Sequence, residues 1–98
     1  MDRVGGMQLE FDWNRSKSQE NLRKHGVSFE EGRSVFRDPL SIMAPDPRHW
    51  LDEPRFNIVG LSDQGRILIV VYTERGGTIR IISCRKAASA ERKRYEET

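Results

Sequence analysis

The chain has 98 residues, a formal net charge of +2, 36% hydrophobic residues and 33% charged residues. A chain of this length forms a single domain, and this composition makes its core thin. One cysteine, Cys84, excludes an internal disulfide, no Cys or His spacing is typical of a metal site, and no apolar run approaches membrane-spanning length. We therefore expect a cytoplasmic protein that uses no cofactor and no metal.

Positive charge is concentrated in the last third of the chain. Between Arg66 and Arg94 there are eight basic and two acidic residues, a net charge of +6, whereas the rest of the chain holds nine basic and thirteen acidic residues. Thirteen of the seventeen basic residues are arginine, whose planar guanidinium binds phosphate through two parallel hydrogen bonds. Such a concentration is expected of a nucleic-acid partner, although charge alone fits a solvated surface equally well.

The N-terminal part predicts a leader, a strand and a helix. Residues 1–6 are polar and read as a flexible leader ahead of one domain, residues 7–98. Apolar and polar residues alternate over 7–11, which predicts a short strand. A helix is predicted over Arg15–His25, with Asn14 as its N-cap and a glycine immediately after its last residue.

A second helix and a proline-rich segment follow. Ser28 and Glu31 have the spacing of a capping box, and Asp38–Pro39 ends the helix that they begin. Residues 38–54 contain all four prolines of the chain. Within this segment only Leu40–Met43 predicts a strand, at the edge of a sheet.

The C-terminal half predicts a meander of three strands and a last helix. The strands cover residues 55–61, 66–74 and 78–84. Gly76–Gly77 is a tight-turn signal, and Ser89 is expected to cap a helix over Ala90–Glu96. The predicted fold class is α+β, an antiparallel sheet of three to five strands with two N-terminal helices and a C-terminal helix, packed mostly on one face.

The turn at Gly76–Gly77 also predicts the register of the last hairpin. The opposed pairs are Arg75 with Thr78, Thr73 with Arg80, Val71 with Ile82, and Ile69 with Cys84, and on the other face Tyr72 with Ile81, Val70 with Ser83, and Leu68 with Arg85. Opposed residues share a face, so Arg75 and Arg80 lie together near the hairpin end. A shift of one residue would exchange the two faces.

Two groups of basic residues have alternative interpretations. Lys24 and His25 occupy the last helical turn, where cations are favoured by the helix dipole, but where they could also contact phosphate or transfer a proton. Arg80 and Arg85 lie in and just after the last strand, where they could form ion pairs with glutamates or hold a phosphate. Cys84 fits a small buried residue better than a nucleophile.

Several motifs in order resemble those of the BrnT family. The resemblance covers about residues 9–97 and rests on Phe11–Asn14, Lys17, Asn21, Lys24–Phe29, Phe36–Pro39, Glu53–Phe56, Arg80–Ala87 and Glu91–Glu96. It implies a RelE-like α+β fold and a ribonuclease toxin of a type II toxin–antitoxin system, which inhibits translation and growth. The implied partner is a BrnA-like antitoxin with a ribbon-helix-helix domain. Operator DNA would be bound only through that antitoxin, in a complex that could contain a toxin dimer.

The resemblance and the chemistry together select the predicted site. The catalytic residues are predicted to be Lys24, His25, Tyr72, Glu74, Arg80 and Arg85. The RNA-binding residues are predicted to be Arg55, Arg66, Arg75, Lys86 and Arg92. Without metal ligands, cleavage would use the 2′-hydroxyl of RNA, with Glu74 or His25 as the base and His25 or Tyr72 as the acid. The alternative is a non-catalytic module that binds an antitoxin and nucleic acid.

Overall fold

A computed structural model describes residues 9–46 and 53–97 and has the predicted α+β class. The predicted leader, residues 1–6, lies outside the described residues. The five strands of one sheet are β1 Glu10–Asp12, β2 Ile42–Pro45, β3 Phe56–Leu61, β4 Ile67–Arg75 and β5 Thr78–Lys86. The helices are α1 Arg15–His25, α2 Phe29–Ser34 with a 3-10 turn over Val35–Arg37, and α3 Ser89–Glu96. No helix within the described ranges is long and apolar enough to cross a membrane.

The sheet is mixed rather than wholly antiparallel. Its strand order is β1-β5-β4-β3-β2, and every neighbouring pair is antiparallel except β1 and β5. The parallel pair places Glu10 beside Thr78 and Asp12 beside Arg80. Because β1 and β5 come from opposite ends of the chain, no hairpin turn constrains them to run antiparallel. The C-terminal hairpin is therefore central, and β2 lies at an edge as predicted.

Helix α1 has the predicted bounds because both of its caps form. The side-chain oxygen of Asn14 accepts a hydrogen bond from the Lys17 N–H at 3.0 Å. Gly26 ends the helix in the left-handed conformation, with φ of 70°, and its N–H donates to the Leu22 carbonyl at 2.9 Å. A residue with a Cβ is strained at that φ, so the glycine fixes the C-terminus of the helix.

The caps of α2 and α3 differ in part from prediction. Ser28 Oγ accepts from the Glu31 N–H at 3.0 Å, but the Glu31 carboxylate binds Arg66 and Ser62 instead of closing a capping box. The prediction that Ser89 caps α3 is wrong, because Ser89 is its first residue. The first turn of α3 is stabilised instead by the Glu91 carboxylate, which accepts a hydrogen bond from the Ala88 N–H at 2.7 Å.

One face of the sheet, here called the core face, packs against α2 and the 3-10 turn. Its buried cluster consists of Val27, Phe29, Val35, Ile58, Leu68, Val70, Tyr72, Ile79, Ile81 and Cys84. Gly32 of α2 lies so close to β5 that an added Cβ would be 3.1 Å from the Cys84 Sγ atom. Helix α1 instead lies along β5, and α3 is tied to the opposite face through Arg85. The helices are therefore not gathered on one face.

A β-bulge changes the predicted register of the hairpin. The pairs up to Tyr72 with Ile81 are as predicted, but Val71 then pairs with Ser83, Val70 with Cys84, Ile69 with Arg85 and Leu68 with Lys86. The register shift leaves Ile82 as the extra residue on β5. It brings Cys84 into the core beside Val70 and moves Arg85 to the opposite face. The predicted pairs beyond the bulge were wrong for this reason.

Candidate functional site

A row of polar side chains crosses the sheet on the face opposite the core. Asp12 of β1 lies beside Arg80 of β5, and Arg80 lies opposite Thr73 of β4. Continuing the β3–β4 pairing by one residue places Arg55 opposite Thr73 from the other side. The Asp46 N–H donates to the Arg55 carbonyl at 2.8 Å, which extends the pairing to the end of β2. Basic groups thus flank Thr73 on both neighbouring strands.

Two ion pairs gather around this row. Arg75, two residues after Thr73 on the same face, binds Glu53 through Nε at 2.7 Å and Nη2 at 2.9 Å. Arg80 Nη1 donates to Asp12 Oδ1 at 3.0 Å. The hydrogen bond from Arg75 lowers the pKa of Glu53, and the charges of Arg55 and Arg80 lower it further. The hairpin cluster therefore consists of Arg55, Arg75, Arg80, Asp12, Glu53 and Thr73.

Thr73 is the unusual member of the hairpin cluster. It is fully buried, and its Oγ1 atom has no hydrogen-bond partner among the described residues. A buried hydroxyl without a partner costs free energy, so native structures contain few of them. Arg55 and Arg80 lie opposite Thr73 on the same face of the sheet, so the buried hydroxyl lies on the face that carries the two arginines.

A second basic feature, the helix groove, lies between α1 and β5. It has a volume of about 230 Å³ and is lined by Lys17, Glu20, Asn21, Lys24, His25, Ile82 and Ser83. Positions 17, 21, 24 and 25 lie on one side of a helix, so their spacing signals a shared surface. Asn21 belongs to the motifs that resemble the BrnT family, but of the residues that line this groove only Lys24 and His25 were predicted to be site residues. The structure brings these two residues together.

Asn21 joins the groove to the sheet. Its Nδ2 donates to the carbonyls of Cys84 at 2.8 Å and Val27 at 2.9 Å, and the Cys84 N–H donates to its Oδ1 at 3.2 Å. The side chain is buried and fully satisfied by these bonds. This contact fixes the position of Lys24 and His25, one turn further along α1, against Ser83.

Tyr72 and Glu74 lie on the core face and join neither surface. Tyr72 is 1% exposed, and its hydroxyl hydrogen-bonds the Met43 Sδ atom at 3.1 Å. Burial raises the pKa of Tyr72 to about 12, and the charge of Glu74 adds to this effect. Its ring packs against Phe36 and Phe56, with centroids at 5.0 and 5.7 Å. The structure thus gives Tyr72 a packing role, and Glu74 is an exposed neighbour of Ile79.

Two predicted basic residues, Arg66 and Arg85, join different structural elements, and a third, Arg92, forms a pair within α3. Arg66 binds the buried Glu31 through Nε and Nη2, and donates to the Gly26 carbonyl at 3.1 Å. Arg85 forms a two-pronged pair with Glu91 at 2.9 and 3.0 Å, and Arg92 lies 3.6 Å from Glu96. Lys86 is exposed and pairs in register with Leu68, on the core face.

The remaining candidate groups are the potential metal ligands and the cysteine thiol. Within residues 9–46 and 53–97, no group of three or more His, Cys, Asp or Glu side chains could hold a metal ion. Burial raises the pKa of Cys84 to about 12, which keeps the thiol protonated. Cys84 is therefore a core residue, as predicted.

The chain is similar to a known protein family and to a solved structure. Residues 13–91 match the family model described as the ribonuclease toxin, BrnT, of type II toxin–antitoxin systems. The 1.1 Å crystal structure of the Brucella abortus ribonuclease toxin BrnT aligns with a TM-score of 0.65 and 22% identity, covering 84% of this chain and 100% of that one. At this identity the likeness shows the fold. No curated protein matches the chain.

Proposed function

Because the chain belongs to the BrnT family of ribonuclease toxins of type II toxin–antitoxin systems, we propose that it cleaves RNA internally without a metal ion. Cleavage of RNA in the cytoplasm would inhibit translation and growth. The observation that carries this proposal is the convergence of Lys17, Lys24 and His25 in the helix groove, beside Ser83. Arg80 lies three residues before Ser83 on β5, about 10 Å along the strand. One RNA strand could therefore contact both the groove and the hairpin cluster.

The proposed reaction uses the substrate's own hydroxyl. The 2′-oxygen attacks the adjacent phosphorus while a base takes its proton, and the bond to the 5′-oxygen breaks as an acid protonates it. The products are a 2′,3′-cyclic phosphate and a 5′-hydroxyl. Within the groove, Glu20 and His25 can accept a proton, and a histidine can also donate one near neutral pH. Lys17 and Lys24 supply positive charge for the phosphorane.

The proposal is tested by removing the groove residues one at a time. His25→Ala and Lys24→Ala should each slow cleavage at least about 100-fold, the usual loss when a proton-transfer group is removed or a charge is left unstabilised. Arg23→Ala is the matched control, since it removes an exposed cation from the same helical turn outside the groove. Full activity of both groove variants, with unchanged melting temperatures, would place the chemistry elsewhere. A wild-type chain that binds RNA without cutting it would instead be a non-catalytic module.

We also propose that a BrnA-like ribbon-helix-helix antitoxin neutralises the toxin and alone contacts operator DNA. The support is the segment of net charge +6 from Arg66 to Arg94, which an acidic or amphipathic partner segment would neutralise. Such a complex should melt at a higher temperature, because a partner that binds only the folded state stabilises it. It should also lack ribonuclease activity. Sedimentation would show whether the complex contains a toxin dimer.

A further inference from the structure

We propose that the hairpin cluster is a phosphate-binding subsite for single-stranded RNA in which Glu53 and Asp12 hold the arginines until RNA phosphates displace them. This inference rests on the proposed RNA substrate. The arginines of this cluster were predicted to bind RNA or to act in catalysis. The proposal adds the carboxylates of Glu53 and Asp12, which compete with RNA phosphates for the arginines, and the buried hydroxyl of Thr73, which is a further phosphate ligand.

The geometry of the Arg75–Glu53 pair is that of a phosphate contact. Nε and Nη2 of Arg75 bind the two carboxylate oxygens at 2.7 and 2.9 Å, which is the parallel arrangement that a guanidinium also makes with two phosphate oxygens. The Arg75 side chain is 56% exposed and that of Glu53 37%. The pair is therefore open to solvent, and an incoming anion can exchange with Glu53 without unfolding the sheet.

The rest of the hairpin cluster supports binding of an anion. Arg80 is held by one hydrogen bond to Asp12, so most of its donors are uncommitted within the described residues. Arg55 has no ion pair there, although its charge acts on Glu53. Arg55 and Arg80 therefore keep donors with which they could bind an anion.

Thr73 provides independent evidence for a ligand. Its Oγ1 is buried with no hydrogen-bond partner in residues 9–46 and 53–97, and Thr73 lies between Arg55 and Arg80 across the sheet. A fold that needed only packing here could use valine, which has nearly the same shape and no hydroxyl to desolvate. A phosphate oxygen held between Arg55 and Arg80 would give this hydroxyl the hydrogen-bond partner that it lacks among the described residues.

The test is binding of a fluorescent 2′-O-methyl oligoribonucleotide of ten nucleotides, which the proposed reaction cannot cleave. Glu53→Gln should tighten binding about three- to tenfold, because it frees Arg75, and Arg75→Ala should weaken it. The deciding measurement is the double variant. In the Arg75→Ala background, Glu53→Gln should no longer tighten binding, whereas a general loss of negative charge would act equally in both backgrounds. Glu30→Gln, on α2, is the charge-matched control and should change affinity less than twofold.

Two further measurements complete the test. Glu53→Gln should steepen the salt dependence of binding by about 0.7 in log–log slope, the value for one additional phosphate contact on a single strand. Thr73→Val should weaken binding at least twofold without lowering the melting temperature. Equal effects of Glu53→Gln in both backgrounds overturn the proposal, and so does unchanged affinity of Thr73→Val.

The outcomes also separate this inference from the proposed function. Absence of cleavage of ordinary RNA, together with the predicted coupling on the 2′-O-methyl probe, would refute the enzyme and keep the subsite. Cleavage of ordinary RNA without coupling between Glu53→Gln and Arg75→Ala would keep the enzyme and refute the subsite. If Glu53→Gln tightened only an acidic decapeptide, the cluster would be a site for a protein partner and the RNA subsite would be refuted.

Discussion

The side-chain amide of Asn21 binds the backbone of Cys84 as a neighbouring strand would. Nδ2 donates to the Cys84 carbonyl at 2.8 Å, and the Cys84 N–H donates to Oδ1 at 3.2 Å. β1 pairs only with residues 78–80 of β5, so the later part of that strand edge needs another partner. Helix α1 supplies it through one residue. A buried amide therefore joins the groove to the sheet.

Removal of the Asn21 side-chain amide should lower the stability of the fold. Asn21→Ala leaves buried groups of Cys84 and Val27 without partners, and we expect the free energy of unfolding to fall by about 2–4 kcal/mol. Gln19→Ala, on the exposed side of α1, should change it by less than about 0.5 kcal/mol. Urea unfolding measures both. Equal stability of the two variants would show that the backbone of β5 finds other partners.

The Glu31–Arg66 pair should make stability depend on pH. The hydrogen bond from Arg66 holds the pKa of Glu31 below its ordinary value of 4.5. A carboxyl with a lowered pKa in the folded state contributes fully above 4.5, and this stability is lost as the pH falls through the folded-state value. Glu31→Gln should therefore cost stability at pH 7 and progressively less below pH 4.

The size of the stability change in Glu31→Gln depends on how deeply Glu31 and Arg66 are buried. The Glu31 side chain is 1% exposed and that of Arg66 31%, so we expect a loss of about 2 kcal/mol at pH 7, less than for a fully buried pair. Urea titrations of wild type and Glu31→Gln at pH 7 and pH 3 measure it. A difference between the two proteins that stays constant with pH would contradict the ion-pair explanation.

The role of Arg85 can be separated into structure and RNA contact. Arg85 holds Glu91 of α3 through two hydrogen bonds, so a structural role predicts that Arg85→Ala and Glu91→Gln reduce growth inhibition and melting temperature alike. A role toward RNA predicts that only Arg85→Ala abolishes toxicity while both variants stay folded. We expect the first result. Toxicity assays with circular dichroism melts distinguish the two.

Tyr72→Phe tests the assignment of Tyr72 to the core. The variant keeps the ring packing and loses one hydrogen bond to a thioether, so we expect less than about 1 kcal/mol of destabilisation and normal RNA cleavage. Tyr72→Ala should lose about 3–5 kcal/mol as a large cavity opens. Loss of cleavage by a stable Tyr72→Phe protein would restore the sequence-based prediction that its hydroxyl is an acid.

The sequence specified local structure better than the arrangement of the site. Asn14 and Gly26 predicted both ends of α1 because their signals depend only on adjacent residues. The hairpin turn was also predicted, but the bulge at Ile82 was not, because it is required by packing of Cys84 against α2. For the same reason the sequence could not show that Arg85 leaves the core face.

The partners of the charged residues were also difficult to predict from the sequence. Lys24 and His25 were predicted as a pair because they are adjacent on one helix. The partners of Arg66 and Arg75 lie 35 and 22 residues away, so composition could not distinguish a structural ion pair from a free cation. Thr73 gave no signal, since threonine is common in strands, and only the structure shows that its buried hydroxyl has no partner within the described part of the chain.

The most direct test of the account is cleavage of an oligoribonucleotide by the purified protein in EDTA. We predict cleavage that leaves a 2′,3′-cyclic phosphate, and no cleavage of the same oligonucleotide carrying a single 2′-deoxy nucleotide at the cut position. Both results follow if the substrate's hydroxyl is the nucleophile. Activity that disappears in EDTA and returns with magnesium, or cutting at the 2′-deoxy position, would contradict the account.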